Sequence, residues 1–353
     1  MRIGKVKELI KSYIKAGINR PVFLFGGPGV GKTSICWQIA QEVFGSGEDW
    51  PRGNFLPVSL VYHEAPDLIG VPVTVNGRVE WLPLIEMPSE GKGIVLFDEL
   101  NKASDDAIKA SYQWIFPPRK VGTRELGKGW FVVAAGNRMG DRCQVLELPA
   151  ALNNRCLIYE VETNLDDWKS WALSNGIAPE VVAFHNYTSG TKLYTFDPEK
   201  YSPEDPFPSP RSWEAVSDLL KANIRDAEAI GGAIGEGMGT EFVAYLRTRN
   251  EMPDIDAILS GKSSKVPERP DVLHLVCSTL VARVKQKPKL AGRLVEYATL
   301  LPAEFAALLV MDAMKANIPI KSETREFKRF ARKHGRLILT DEELKRLRGS
   351  SAK

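Results

Sequence analysis

Residues 26–33 read Gly-Gly-Pro-Gly-Val-Gly-Lys-Thr and satisfy GxxxxGK[ST] at every position. The run follows the apolar stretch Val22–Phe25 and opens a helical pattern over Ser34–Val43. The chain must therefore pass from strand through glycine loop to helix within a few residues. Few folds allow this, because the glycines turn backbone N–H groups inward around an anion and the helix N-terminus adds partial positive charge. Gly26, Gly27, Pro28, Gly29, Val30, Gly31, Lys32, Thr33 and Ser34 are expected to bind a nucleotide. Lys32 would reach the β- and γ-phosphates, and the Thr33 hydroxyl would hold Mg²⁺. The bland alternative, a glycine-rich turn with a surface lysine, does not explain the strand before the loop or the helix after it.

A partner for this loop lies about 65 residues on, where Ile94-Val95-Leu96-Phe97 ends in Asp98-Glu99. A buried strand closing on two carboxylates places both at the C-terminal edge of a parallel sheet, where ligands bind in open α/β folds. Asp98 is the expected Mg²⁺ anchor and Glu99 the group that polarises water for attack on the γ-phosphate. Asn137 ends the next unbroken apolar run, Phe131–Ala135, so it belongs on the same edge; it either orients the attacking water or only forms a turn.

The first ~160 residues alternate short apolar runs with helical patterns, the signature of a parallel sheet with crossover helices. Strands are expected at Val22–Phe25, Phe55–Tyr62, Ile94–Phe97, Phe131–Ala135 and Cys156–Val161. Past Glu162 helical periodicity takes over, at Asp166–Ser174, Pro179–His185, Pro210–Ala222 and Asp226–Arg247. Glu251–Glu268 is polar and turn-rich and reads as a linker. Further helices are expected at Val272–Lys285, Lys289–Thr299, Pro302–Met314 and Ser322–His334. The expected division is a nucleotide-binding αβα domain over 1–163, a helical lid over 164–250 and a helical extension with a basic tail over 251–353.

Composition excludes several other classes. The 353 residues are 44% hydrophobic and 26% charged, as in a globular protein. No apolar run approaches the ~20 residues of a membrane span. The four cysteines (Cys36, Cys143, Cys156, Cys277) form no CxxC pair, so neither a zinc ribbon nor a disulfide framework is indicated. The N-terminus lacks the unbroken apolar stretch of a signal peptide, and a cytoplasmic location is expected. Net charge is only +3, but Lys321–Lys353 holds eleven basic against five acidic residues, a local +6, and leaves the rest mildly acidic.

The phosphate loop, Asp98-Glu99-Leu100-Asn101-Lys102-Ala103 and Ala135-Gly136-Asn137-Arg138, at these spacings, resemble the AAA+ ATPases, most of all the MoxR-like, dynein-related branch. The resemblance covers roughly residues 5–250. It takes in Glu64–Gly70 as an insertion after the second strand, Arg119–Lys128 as a hairpin, and Asp167–Ala172 in the lid. It implies an α/β P-loop NTPase fold with a parallel five-stranded sheet and flanking helices. It also implies an ATPase using ATP and Mg²⁺, with Asn137 at the sensor 1 position. A further implication is a ring, usually a hexamer, in which a neighbour's arginine completes each site. Arg155 matches that finger, with Arg138 and Arg142 as rivals; the bland alternative for Arg155 is a surface pair with Glu160 or Glu162.

Arg211 is the expected sensor 2. Ser209 and Pro210 read as N-cap and first helical residue, so Arg211 falls in a first turn, where the macrodipole disfavours a cation by ~0.3–1 kcal/mol. A γ-phosphate would compensate; a salt bridge to Glu214 is the bland alternative. Leu68-Ile69-Gly70-Val71 and the basic hairpin of Arg119, Lys120, Arg124 and Lys128 would face a ring axis and grip a polymer, or be ordinary solvated loops. Trp81 and Trp114 are expected in the core. His63 has no second ligand and is not a metal candidate. Lys328, Arg329, Arg332, Lys333 and Arg336, with Lys345, Arg346 and Arg348 beyond, invite a nucleic-acid reading, but the expected one is a solvated helix face, Phe327 and Phe330 being its apolar side and His334 part of it.

The reading favoured is a chaperone-like ring motor that remodels or activates a protein client, with a partner carrying a von Willebrand factor A domain and no membrane. The less favoured alternatives are a nucleic-acid-directed motor of the McrB or phage-replication type and a non-catalytic, nucleotide-gated scaffold.

Overall fold

A computed structural model of the chain describes residues 1–45, 53–82, 84–138, 154–200, 202 and 204–339. The chain divides into two compact units, 1–163 with 196–201, and 164–195 with 202–353.

The first unit opens with α1 (Ile3–Lys15), β1 (Val22–Phe25), α2 (Lys32–Phe44) and β2 (Phe55–Ser59). A short helix α3 (Ala65–Ile69) then leads into a hairpin, β3 (Val71–Val75) and β4 (Arg78–Leu82). Next come β5 (Lys92–Asp98), α4 (Asp105–Ile115), a two-residue hairpin β6 (Lys120–Val121) and β7 (Arg124–Glu125), then β8 (Gly129–Gly136) and β9 (Leu157–Glu160). Strands β2-β5-β8-β1-β9 form one five-stranded sheet, parallel at every pairing. The interiors of β5 and β8 are buried throughout, which is why their sequences lack polar alternation. Register sets the site. Ser59 pairs with Asp98, Phe97 with Ala134, and Phe25 with Gly136, so the last residues of four strands share one edge.

All five expected sheet strands form, and β2 is shorter than expected because Leu60–Tyr62 coils into a 3-10 turn. Three expectations outside the sheet fail. Leu68 does not project from a loop: it is fully buried, and the Trp114 indole donates to its carbonyl at 3.0 Å. Arg119 is also inside, its guanidinium donating to Asn19 Oδ1 (2.5 Å), the Asn19 carbonyl (3.1 Å) and the Ile115 carbonyl (3.3 Å). Desolvation pulls its pKa down to about 10. Trp114 is in the core as expected, but Trp81 is 48% exposed on β4.

The second unit is helical: α5 (Leu165–Ser174), α6 (Pro179–Tyr187), α7 (Pro210–Lys221), α8 (Ala227–Ile234), α9 (Glu236–Leu246) and α10 (Ile255–Leu259). It continues through α11 (Pro270–Gln286), α12 (Ala291–Ala298), α13 (Ala303–Lys315) and α14 (Arg325–His334). Its core runs continuously from Trp168 to Ala331. The single helix expected over 226–247 breaks at Gly235, whose φ of +87° only glycine adopts cheaply and whose Cβ would sit 2.8 Å from the Pro206 carbonyl oxygen. The polar stretch 251–268 is not a free linker. Ile255, Ile258 and Leu259 are buried, and the Tyr297 hydroxyl donates to the Lys265 carbonyl at 2.8 Å. A buried ion pair, Lys169 Nζ to Asp312 Oδ1 at 2.8 Å, ties α5 to α13. Among the described residues no helix is long and apolar enough to cross a membrane.

Candidate functional site

The loop between β1 and α2 is shaped by its glycines. Gly29 and Gly31 take φ of +77° and +102°, in the left-handed region. At Gly26 a Cβ would lie 2.7 Å from the Val161 carbonyl oxygen, so the loop can hug β9 only if that residue has no side chain. Lys32, the first residue of α2, is buried, and its ammonium donates to the Gly26 carbonyl (2.7 Å), the Gly27 carbonyl (3.0 Å) and Asn137 Oδ1 (3.1 Å). It thus curls over the concavity that the loop encloses. The Thr33 hydroxyl, one residue on, donates to Asp98 Oδ2 at the end of β5.

Glu99 adopts φ +54°, an uncommon conformation for a residue with a Cβ, at a cost of ~1–3 kcal/mol. The bend turns its carboxylate toward β2, where Oε2 accepts from Ser59 Oγ at 3.2 Å and Oε1 pairs with Lys102 Nζ at 3.0 Å. Asn137 is held by its backbone: its N–H donates to Asn101 Oδ1 (3.1 Å) and its carbonyl accepts from Asn101 Nδ2 (2.7 Å). Asn101 is only 1% exposed, and its side chain fits because Gly136, whose Cβ would lie 2.6 Å from Asn101 Oδ1, has none.

Lys32, Thr33, Asp98, Glu99 and Asn137 are therefore brought together at one sheet edge, as expected from the sequence. Ser59 and Asn101 join them through strand register and Lys102 through a local i, i+3 pair with Glu99, and none of these parts was foreseen. Arg155 is exposed and, among the described residues, forms no ion pair. The carboxylates proposed for it are taken, Glu160 by Arg138 at 3.2 Å and Glu162 by the N-terminal ammonium at 3.3 Å. Arg142 lies outside the described residues. In the helical unit Ser209 caps α7, accepting from Ser212 N–H at 3.2 Å, and places Arg211 in the first turn. Arg211 is exposed and makes no pair with Glu214 or any other described carboxylate. His63 Nδ1 lies 3.5 Å from Asp67, and no metal-ligating cluster occurs among the described residues.

No family model matches the chain. A stretch of 116 residues, 30% of the chain, is 39% identical to an ATP-dependent protease ATP-binding subunit-like protein, AmiB, of Pseudomonas aeruginosa, covering 31% of it. A stretch of 94 residues, 26% of the chain, is 38% identical to the Clp protease ATP-binding subunit ClpE of Lactococcus lactis, covering 12% of it. Replication factor C small subunit of Natronomonas pharaonis is 36% identical over 106 residues, 30% of each chain. These relatives are AAA+ ATPases. The chain spans about a third or less of their length. Among solved structures, C. elegans PCH-2 matches 70% of this chain and 69% of its own at 14% identity and TM-score 0.33. A putative ATPase from Cytophaga hutchinsonii matches 98% and 91%, at 14% identity and TM-score 0.32.

The residues at the sheet edge fit a Mg²⁺–nucleotide. Gly29 and Gly31 give the loop its positive-φ turns, a buried ammonium lies against the loop carbonyls, and a hydroxyl–carboxylate pair stands beside it, the donor set a hard cation takes.

Proposed function

We propose that the chain binds and hydrolyses ATP with Mg²⁺ as one subunit of an AAA+ ring of the MoxR-like type, and uses the cycle to remodel or activate a protein client. The observation that carries this reading is the convergence of Lys32, Thr33, Asp98, Glu99 and Asn137 on one edge of the sheet. The loop N–H groups and Lys32 would hold the phosphates, Thr33 and Asp98 the Mg²⁺. The cation's chemistry is neutralisation of charge on the β- and γ-phosphates. Glu99, released from Ser59 and Lys102, takes a proton from the attacking water, and Asn137 orients that water. Arg155 is the proposed finger acting on a neighbour's nucleotide; its exposure and lack of a described ion pair favour it over Arg138, which is bonded to Glu160. Arg211 is the proposed γ-phosphate contact from the helical unit.

Two observations support a protein client. AmiB and ClpE carry protease-subunit names. The hairpin β3–β4 exposes Val71, Val79, Trp81 and Leu82, apolar side chains with no core to fill. Lys120 and Lys128 remain exposed beside the small second hairpin, whereas Leu68 and Arg119 are excluded from any gripping role by burial. A partner with a von Willebrand factor A domain, a hexameric ring and a cytoplasmic site of action complete the proposal.

The test is Mg²⁺-dependent phosphate release by the purified chain, with Lys32→Ala as the binding-deficient control. Equal release by Lys32→Ala would overturn the assignment. For the ring, Arg155→Ala titrated into wild type should depress activity more steeply than its mole fraction. Strict proportionality would remove Arg155 from a trans role.

A further inference from the structure

Helix α14 buries one side and shows the other. Phe327 and Phe330 are 4% and 0% exposed, Ala331 and His334 pack with them, and Lys333 Nζ is tied to the Thr299 carbonyl at 2.7 Å. Thr324 caps the N-terminus by accepting from Phe327 N–H. On the opposite side lie Arg325, Lys328, Arg329 and Arg332, spaced i, i+3, i+4 and i+7, which is one helical face. They line a groove of about 810 Å³ shared with Glu296 and Thr299 of the α12 end and with Glu323 and Glu326.

Several other cations of this unit are paired with carboxylates, as in Arg293–Glu296 (2.7 Å), Lys315–Asp166 (2.8 Å) and Arg269–Asp271 (2.6 Å). Among the described residues none of the four α14 cations forms an ion pair, although three carboxylates share their groove. Those carboxylates have reasons of their own to be there. Glu296 is held by Arg293, Glu323 accepts from Ser322 Oγ at 2.9 Å, and Glu326 sits in the first turn, where the dipole favours an acid. Arg332 near the C-terminus has the opposite excuse, but Arg325, in the first turn, does not. Residues 321–339 hold seven basic and two acidic side chains.

We propose that this face binds the phosphate backbone of a nucleic acid without sequence preference. At 1.5 Å per residue Arg325 and Arg332 stand ~10 Å apart along the helix, a distance over which one strand of duplex DNA, with a charge every ~3.4 Å of duplex axis, advances by about three phosphates. Three of the four cations are guanidinium groups, whose planar fork suits phosphate oxygens. The apolar residues of α14 all face the core, so the outward face offers charge without an anchor. A protein partner needs a buried apolar anchor and a membrane surface needs apolar insertion, and α14 presents neither outward. Phosphate contacts alone carry no sequence information.

The inference does not depend on hydrolysis and is tested without nucleotide. Full-length chain is titrated into fluorescein-labelled 30-nucleotide single strands and 30-base-pair duplexes of mixed sequence, in 50 and 200 mM salt, and anisotropy is read. Four neutralised phosphates predict a log–log salt slope near −3.6 on duplex, about 150-fold weaker binding across that range. Arg325→Ala/Arg329→Ala/Arg332→Ala should leave one contact, with binding at least tenfold weaker in 50 mM salt and only ~3.5-fold salt dependence. Arg329→Glu alone, at an exposed position, should weaken binding in the same direction and guards against misfolding of the triple variant. Arg329→Lys should keep the slope. The proposal falls if the wild type binds neither probe in 50 mM salt. It falls equally if the folded triple variant binds like wild type, which would move the contacts to another segment. Binding of anionic vesicles with no binding of nucleic acid would also overturn it.

Discussion

Removing Asn101 should cost both stability and turnover, because it anchors Asn137 from both sides of the peptide. Asn101 is 1% exposed, donates to the Asn137 carbonyl at 2.7 Å and accepts from its N–H at 3.1 Å. Asn101→Ala removes both hydrogen bonds that it makes to the buried Asn137 peptide, at ~1–3 kcal/mol each, hence ~2–6 kcal/mol in all. For a domain of 150–250 residues 1 kcal/mol moves Tm by ~2–4 °C, so a fall of at least ~4 °C is expected. Asn137 also accepts from Lys32 at 3.1 Å. A backbone freed to shift by ~1 Å there should lower kcat by up to ~100-fold, with ATP affinity within about threefold of wild type. Asn101→Asp keeps the acceptor and loses the donor, and should fall between. The assays are thermal melting, binding of a labelled nucleotide and steady-state phosphate release. If Asn101→Ala melts and turns over like wild type, the anchoring role is refuted.

Three further outcomes are expected. His185 is fully buried between Trp168 and Trp213 (ring centroids 4.9 and 4.5 Å), and burial pulls its pKa down to about 3. The unfolded chain therefore takes up a proton below pH 6.5 that the folded chain refuses, so stability is full above pH 6.5 and falls by about 2 kcal/mol by pH 5. His185→Phe should flatten that loss in acid melting curves, and an unchanged slope would clear His185 of blame. Gly26→Ala drives a Cβ to 2.7 Å from the Val161 carbonyl oxygen and should weaken labelled-ATP binding by more than tenfold; unaltered affinity would show that the loop can shift without penalty. Trp81→Ala, on the exposed hairpin, should change stability by less than ~0.5 kcal/mol while lowering any client-stimulated hydrolysis. A large fall in Tm would place Trp81 in a packing role instead.

Much of the sheet was legible because strands covered on both faces are written as unbroken apolar runs, as in Ile94–Phe97 and Phe131–Ala135. The glycine loop and Asp98-Glu99 were legible because each follows such a run. The outer hairpin was not anticipated, although Asn76-Gly77 between Val71–Val75 and Arg78–Leu82 is a strong two-residue turn signal, both residues taking positive φ (50° and 75°). Ser59 and Asn101 could not be placed without register. Ser59 matters because it pairs with Asp98, and Asn101 because it reaches the end of β8. Arg119 misled because charge predicts exposure, yet Asn19 and nearby carbonyls satisfy its donors inside. The stretch 251–268 misled by average polarity, three apolar residues of α10 being enough to pin it.

The most direct test of the ATPase account is Glu99→Gln. The substitution keeps the side-chain shape and an oxygen for Lys102 or Ser59 but removes the base. The account predicts labelled-ATP binding within about threefold of wild type and phosphate release lowered by ~10²–10⁴-fold, the usual worth of a general base. Glu99→Gln hydrolysing ATP at the wild-type rate would contradict it, whatever the affinity for the nucleotide.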